Sequence, residues 1–418
     1  MPVLALGGWA GLALMSHDPP EVAVWWLLGA LAFEWVLALV VLWRGAVGRT
    51  RYWLAWGVLF RVVGLLAVPL LEDDHYRFLW DGRMFAVTGN PYASAPDDHF
   101  ADPTLSPEFA DILDRVNYPD VPTLYGPVTE LGFLVSYGVA PGGLWPWKLL
   151  LLGADVALLA MLGWLGTGES GARAARFAAW CPLSIFETGF NAHPDALAVS
   201  LMVAAMLAWR REGKVWLGIC CGLAVGAKVF AVLLVPFLLW GRPRMVWLTF
   251  VGVLAACYLP FWLQGSLADL AGLRSFAGEW EFNSSAYALL AWGWGAAGAR
   301  GLAMLLFGAG WLGLMGWWIR RKEGGLPPGW PVFGLFFLLS PAFNPWYALW
   351  LLPFVAWRPT WAGITTLIVV SLSYVTRQNL GQGVLDGFAH PGWVRPVEFG
   401  LIAMAAAVDL TAWLKRES

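Results

Sequence analysis

Charge is what this sequence lacks. Asp, Glu, Lys and Arg together make up 13% of its 418 residues, about half the share with which a soluble domain covers its surface. A chain this long with so few charges cannot be two or three soluble domains. The 26 basic and 28 acidic residues leave a net charge of −2, so no basic field exists to hold nucleic acid. Cysteine is scarce too. Cys181, Cys220, Cys221 and Cys257 all sit in apolar runs without metal-ligand spacing, which argues for buried small hydrophobes and against a disulfide framework. Internal repeats and low-complexity tracts are missing. No basic region precedes the first apolar stretch, which argues against a cleaved leader. What the sequence has is apolar bulk: 59% hydrophobic residues, a mean hydropathy of +0.63 and 30 tryptophans. Tryptophan in that number suits interfacial belts and sugar-stacking faces better than one core. These features predict an all-α polytopic membrane protein.

Candidate spans lie near 3–16, 22–43, 52–71, 146–165, 177–190, 195–209, 216–240, 246–263, 301–319, 330–357, 360–375 and 397–414. Lys228 interrupts one of them, and Ser340-Pro341 to Asn344-Pro345 another, so each of these is expected to be two short helices meeting at a polar break. Short apolar pieces at 128–140 and 284–297 are expected to dip in and return. The sum is roughly 11–14 transmembrane helices in a single integral membrane domain, 1–418. More than half of the basic residues cluster in short loops, among them 44–51, 210–215 and 320–329, and these fix the cytoplasmic face. Threading the spans on that basis leaves both termini cytoplasmic. The opposite face receives the outer loop 72–127 and a second outer loop, 376–396. Glu34, Arg61 and Asp155 fall in mid-span, where charges are costly. Glu34 and Arg61 lie at similar depth on successive spans, so a structural ion pair is expected.

The stretch 72–127 is the only long hydrophilic segment, and it is ordered by signals. One helix is predicted to start at Asp73-Asp74 and to stop at Gly89-Asn90-Pro91-Tyr92. A second is signalled by Ser106-Pro107-Glu108, an N-cap with proline at the first helical position. Its apolar residues Phe109, Ile112, Leu113 and Val116 recur at helical spacing while Asp111, Asp114 and Arg115 face away, as on a helix lying along a membrane surface. A proline-stiffened return follows, Tyr118-Pro119 to Gly126-Pro127. One aspartate satisfies a helix N-terminus; a second beside it exceeds that need. A carboxylate at a partly dehydrated site can accept a proton from a hydroxyl, so Asp73 and Asp74 are candidates for a general base.

Asp-Asp-x-Tyr-Arg-x-x-Trp-Asp-Gly-Arg at 73–83, followed by Gly-Asn-Pro-Tyr-x-x-x-Pro at 89–96, resembles the first outer loop of the GT-C membrane glycosyltransferases. The closest resemblance is to the bacterial polyprenyl-phosphate-mannose-dependent mannosyltransferases related to glycosylphosphatidylinositol mannosyltransferase I. Asn191-Ala192-His193-Pro194-Asp195-Ala196-Leu197-Ala198 resembles their Gly-His-Asn-Asp-Ala-Leu element. Gly226-Ala227-Lys228 through Leu234-Val235-Pro236 resembles their lysine-containing helix break. Ser340-Pro341-Ala342-Phe343-Asn344-Pro345-Trp346-Tyr347 resembles their Ser-Pro-x-x-His-Pro-Trp-Tyr element, with Asn344 where histidine is usual.

The resemblance implies a GT-C-like bundle in the bacterial cytoplasmic membrane, with its active site on the non-cytoplasmic face. There it would move a sugar, by family default mannose, from a polyprenyl-phosphate donor to a hydroxyl of a lipid or glycan acceptor. Glucose or arabinose donors would use the same phosphate chemistry. Asp73 or Asp74 would be the base of a single inverting displacement, and Lys228, Arg377 and Arg395 would meet the donor phosphate. Substrate contacts are implied for Tyr76, Arg77, Asp81, Arg83, His193, Asp195, Asn344, Trp346 and Tyr347. No cofactor is required; a divalent metal near Asp73 and Asp74 is possible, but two adjacent carboxylates do not make a full site. Membrane lipids are the other expected partners, no nucleic acid is expected, and oligomeric state is left open. The alternative class is a transporter or flippase for a lipid-linked or small polar substrate, since broken helices and intramembrane charges serve both.

Overall fold

Glycine and proline punctuate an almost unbroken apolar chain, and the helices end where they fall. The computed structural model describes residues 1–19, 23–43, 49–70, 72–166, 168–321, 325–379 and 390–417. In chain order its main helices are α1 (Pro2–Met15), α2 (Ala23–Trp43), α3 (Thr50–Leu65), α4 (Asp74–Thr88), α5 (Pro107–Asp114), α6 (Pro127–Val139), α7 (Trp145–Leu165) and α8 (Glu169–Trp180). They continue with α9 (Asp195–Arg210), α10 (Lys214–Ala227), α11 (Arg244–Trp262), α12 (Leu270–Glu279), α13 (Ala286–Arg320), α14 (Gly329–Leu339), α15 (Leu352–Trp357), α16 (Trp361–Val369) and α17 (Val394–Glu417). No strand occurs among the described residues. The chain is an all-α polytopic membrane protein. Four of these helices are long and apolar enough to cross a bilayer, within Ala23–Leu42, Trp145–Leu165, Arg244–Trp262 and Ala286–Arg320. Shorter apolar helices accompany them.

Both expected breaks are present. Lys228 ends α10 in an extended conformation (φ −154°, ψ 129°), ahead of a 3₁₀ turn at Val229–Leu233. Ser340 ends α14, and a 3₁₀ turn at Pro345–Trp350 leads into α15. The pieces at 284–297 and 301–319 also meet at a break. Within Ala286–Arg320 they are two helical segments that meet at a kink at Gly295 (φ 71°, ψ 167°), where the missing side chain permits a non-helical residue, a few residues before the expected division. Of the stretches assigned to loops, 44–48, 322–324 and 380–389 lie outside the described residues.

The chain divides into two compact units. One comprises 1–67, 162–187 and 281–418; the other comprises 68–161 and 188–280. In the first, Gly57 of α3 abuts Ala179, whose carbonyl oxygen lies 2.5 Å from where a Cβ would stand. Small residues allow this close approach of helices in lipid. The approach brings α8's end within reach of Arg61, which donates to the carbonyls of Gly57, Ala178 and Ala179 and to Ser184 Oγ, at 2.7–3.1 Å. The expected pairing with Glu34 is not the arrangement seen. Glu34 turns toward α1, where a Cβ on Gly8 would meet its Oε1 at 2.2 Å. Backbone carbonyls freed at a helix end can serve a buried guanidinium as a carboxylate would. In the second unit, Gly218 and Gly222 line the face of α10 that packs on Val246 and Val253 of α11, the small-residue spacing typical of membrane helix pairs.

Candidate functional site

The outer-loop helix α4 begins where the sequence places it. Asp73 occupies the N-cap position, yet its side chain makes no capping hydrogen bond. Its carboxylate instead accepts from Asn117 Nδ2, which also lies 3.5 Å from Asp74 Oδ1. Asp74 Oδ2 is 3.9 Å from His193 Nε2. One ligand atom each from Glu72, Asp74 and His193 lies within 4.8 Å of the others, so these three could hold a divalent cation through two oxygens and a nitrogen. Burial, followed by the charge of Lys148, holds His75 down to about 4, which keeps that imidazole neutral beside the acids.

An aromatic cluster sets this geometry. Phe78 of α4 stacks on Phe133 of α6, with ring centres 5.0 Å apart, and Phe133 meets Trp147 of α7 edge-on at 4.7 Å. Gly82 lets α4 lie directly on the Phe133 carbonyl, 2.6 Å from an ideal Cβ. Trp147 Nε1 then donates to the Ala192 carbonyl at 2.8 Å. Ala192 adopts a left-handed conformation (φ 63°), which costs a non-glycine residue on the order of 1 kcal/mol. Asn191 Oδ1 accepts from the Leu70 N–H at 3.2 Å. The same cluster thus holds the start of α4 and the turn that carries His193, although about 120 residues separate them.

The remaining loop-motif residues are used inside the loop. Arg77 Nε donates to both oxygens of Asp81 (2.9 and 3.1 Å), and its Nη2 donates to the Val121 carbonyl at 2.9 Å. Burial raises the Asp81 pKa, while Arg77 opposes the shift. Tyr76 Oη accepts from Arg115 at 3.1 Å. Arg83 lies over the rings of Trp80 and Phe109, at 5.6 and 5.4 Å. α5 follows its sequence signals: Ser106 Oγ accepts from the Phe109 N–H, and Phe109, Ile112 and Leu113 are buried.

Lys228 projects from the extended break after α10. Its Nζ donates to Asp195 Oδ2 at 2.6 Å and lies 5.3 Å from the Phe230 ring centre. Asp195 is the first residue of α9, and its buried carboxylate is turned toward this ammonium. The loop's return is fastened to the same break. Gly126 approaches the Gly226 carbonyl so closely that a Cβ would stand 2.2 Å away, and Thr129 Oγ1 donates to the Ala227 carbonyl at 2.9 Å. Asp73, Asp74, His193, Asp195 and Lys228 therefore share one unit.

Asn344, Trp346, Tyr347 and Arg395 belong to the other unit. Asn344, Trp346 and Tyr347 are buried at the 3₁₀ turn after the second break, where Tyr347 stacks with Phe337 at 6.1 Å. Arg395 Nη1 donates to Glu281 Oε1 at 3.2 Å and to Ser284 Oγ at 3.4 Å. The side chain of Arg377 lies outside the described residues. Sequence reasoning missed Asn117 and gave Glu72 no role. Asn117 follows the amphipathic run of α5 without motif or spacing, so no local signal marks it. Glu72 stood in plain sight as the first of three consecutive acids.

A family model described as alpha-(1->6)-mannopyranosyltransferase, N-terminal domain, matches residues 6–244. That span includes Asp73, Asp74, His193, Asp195 and Lys228. No curated protein matches, and no solved structure matches.

Proposed function

The chain belongs to the alpha-(1->6)-mannopyranosyltransferase family, and from that membership we propose that it moves mannose from a polyprenyl-phosphate donor to a hydroxyl of a lipid or glycan acceptor. The reaction takes place at the outer face of the bacterial cytoplasmic membrane and inverts the anomeric carbon. Membership in a mannosyltransferase family decides against the transporter reading. In the single displacement, the acceptor oxygen attacks the anomeric carbon as the bond from that carbon to the phosphate oxygen breaks. The acceptor proton passes to Asp73 or Asp74, and polyprenyl phosphate departs as an anion that needs no general acid, only cations. Lys228 is a cation of the same unit. Asp195 engages its ammonium, and Lys228 contributes positive charge to the phosphate from the same turn. Arg377 and Arg395 are further candidates for the lipid phosphate. Tyr76, Arg77, Asp81 and Arg83 shape the loop against which the substrates lie. His193 orients Asp74, and Asn344, Trp346 and Tyr347 contribute to sugar contacts.

The observation that carries this reading is the start of α4: an aspartate at the N-cap position that does no capping, facing Asn117, with Asp74 and His193 alongside. Asp73→Asn and Asp74→Asn test it, because asparagine caps helices about as well as aspartate. With purified protein and a synthetic polyprenyl-phosphate mannose, the variant lacking the base should lose roughly 100-fold to 10,000-fold in kcat while still binding donor. Its neighbour should lose less. Two stable, fully active variants would overturn the assignment.

A further inference from the structure

Asn117, just past the end of α5, meets the start of α4 at a position that no motif marks. Its Nδ2 donates to Asp73 Oδ1 and lies 3.5 Å from Asp74 Oδ1. The chain on either side of it is clamped to the first turn of α4. On one side, Arg115 Nη1 donates to Tyr76 Oη at 3.1 Å, and its guanidinium lies 5.5 Å from the Tyr76 ring centre. On the other, Arg77 Nη2 donates to the Val121 carbonyl at 2.9 Å. The apolar face of α5, with Phe109, Ile112 and Leu113, packs with Trp80 and Met84 of α4. Between the clamps, Tyr118 takes a left-handed conformation (φ 46°), a strain that persists only where the surroundings over-determine the backbone. The Asn117 amide is therefore held in a fixed place, and the loop does not need it as a further tie.

We infer that Asn117 is the positioning residue that makes Asp73, and not Asp74, the base. The inference rests on the mannosyl-transfer reading above and selects between its two aspartates. Asp73 stands at the N-cap of α4, where a carboxylate ordinarily accepts from the helix's own N–H groups. It does not do so, and Asn117 supplies its only side-chain hydrogen bond among the described residues. One oxygen is thus fixed while the other stays open. Asp74 is drawn instead toward His193 and Glu72. An amide suits the task. It orients a carboxylate without adding positive charge, whereas a lysine or arginine in its place would oppose proton uptake. In the displacement, the acceptor O–H gives its proton to Asp73 Oδ2. The acceptor oxygen meanwhile bonds to the anomeric carbon, and the bond from that carbon to the phosphate oxygen breaks. Holding the proton acceptor in line keeps the step effectively unimolecular, and that geometry carries much of the rate.

The test is a mutant cycle on purified full-length protein, with synthetic polyprenyl-phosphate mannose as donor and octyl α-mannoside as the acceptor probe. Asn117→Ala should lower kcat roughly 10-fold to 100-fold and leave the donor KM unchanged. Asn117→Leu, which keeps the size and removes the donor, should do the same. In an Asp74→Asn background the loss from Asn117→Ala should persist in full. In an Asp73→Asn background it should vanish, since no base remains to orient. Equal losses in both backgrounds would make Asn117 a structural tie of the loop. A loss that vanishes only beside Asp74→Asn would give the base to Asp74. Either outcome, or full activity in both Asn117 variants, overturns the inference and leaves mannosyl transfer standing. Full turnover by both Asp73→Asn and Asp74→Asn, or none by wild type, would instead remove the reading on which the inference rests. Melting temperatures of all variants separate a loss of fold from a loss of chemistry.

Discussion

Asp73 and Asp74 are neighbours in the chain but keep different company: Asp73 meets Asn117, whereas Asp74 also looks toward His193 and Glu72. Two carboxylates so differently placed suit different tasks, one taking a proton and one orienting a substrate. Lys228 carries a similar duality, because its partner Asp195 has no exposed side-chain surface. Removing one member of a buried pair leaves the other uncompensated, at a cost of about 3–5 kcal/mol. Lys228→Ala should therefore lower thermal stability as well as activity. Adding Asp195→Asn should restore the stability, because the orphaned charge is gone, and leave donor kcat/KM depressed roughly tenfold or more. Recovery of both together would reduce Lys228 to a structural partner of Asp195. Recovery of stability alone would place it on the phosphate.

At the scale of elements, a buried acid ties α11 to the start of α12. Asp269, between α11 and α12, is 1% exposed, and its Oδ2 accepts from Tyr258 Oη at 3.1 Å. Burial pushes its pKa up to about 7, while the Tyr258 hydrogen bond opposes the shift. A carboxyl whose folded pKa exceeds its unfolded value binds its proton more tightly when folded. Its contribution to stability is complete below the unfolded pKa of about 4 and falls away as pH rises to about 7, then stays constant. Wild-type melting temperature should therefore decline between pH 4 and 7, and Asp269→Asn should flatten that decline. An equally steep profile in the variant would assign the pH dependence to other groups. The same scale explains the helix boundaries. Capping signals placed α4 and α5 closely, since Ser106, Pro107 and Gly89 act on their own backbone within one turn. The division between 284–297 and 301–319 falls at Gly295, whose φ of 71° interrupts the helix.

For the whole molecule, the distribution of basic residues sets a testable orientation. Cysteines introduced singly in 72–127 should react with an impermeant reagent added outside intact cells. Cysteines in 210–215 should react only after lysis. Labelling at position 98 that lags behind position 212 would invert the topology, and with it the face on which the donor is met.

The sequence by itself determined the class of the protein: too few charges for a soluble surface, apolar runs of bilayer length, and one polar loop whose acids, prolines and glycines announce their roles locally. It also placed both helix breaks, because a lysine or a Ser-Pro to Asn-Pro stretch cannot continue an apolar helix in lipid unanswered. Partnerships across the chain were decided only by the tertiary structure. Arg61 found the carbonyls of Ala178 and Ala179 instead of Glu34, since the contact depends on how closely Gly57 allows two helices to approach. Lys228 found Asp195, and Asp73 found Asn117, because an aromatic cluster and a left-handed alanine brought distant turns together. Such pairings depend on distances in space between residues remote in sequence, and no local periodicity carries that information.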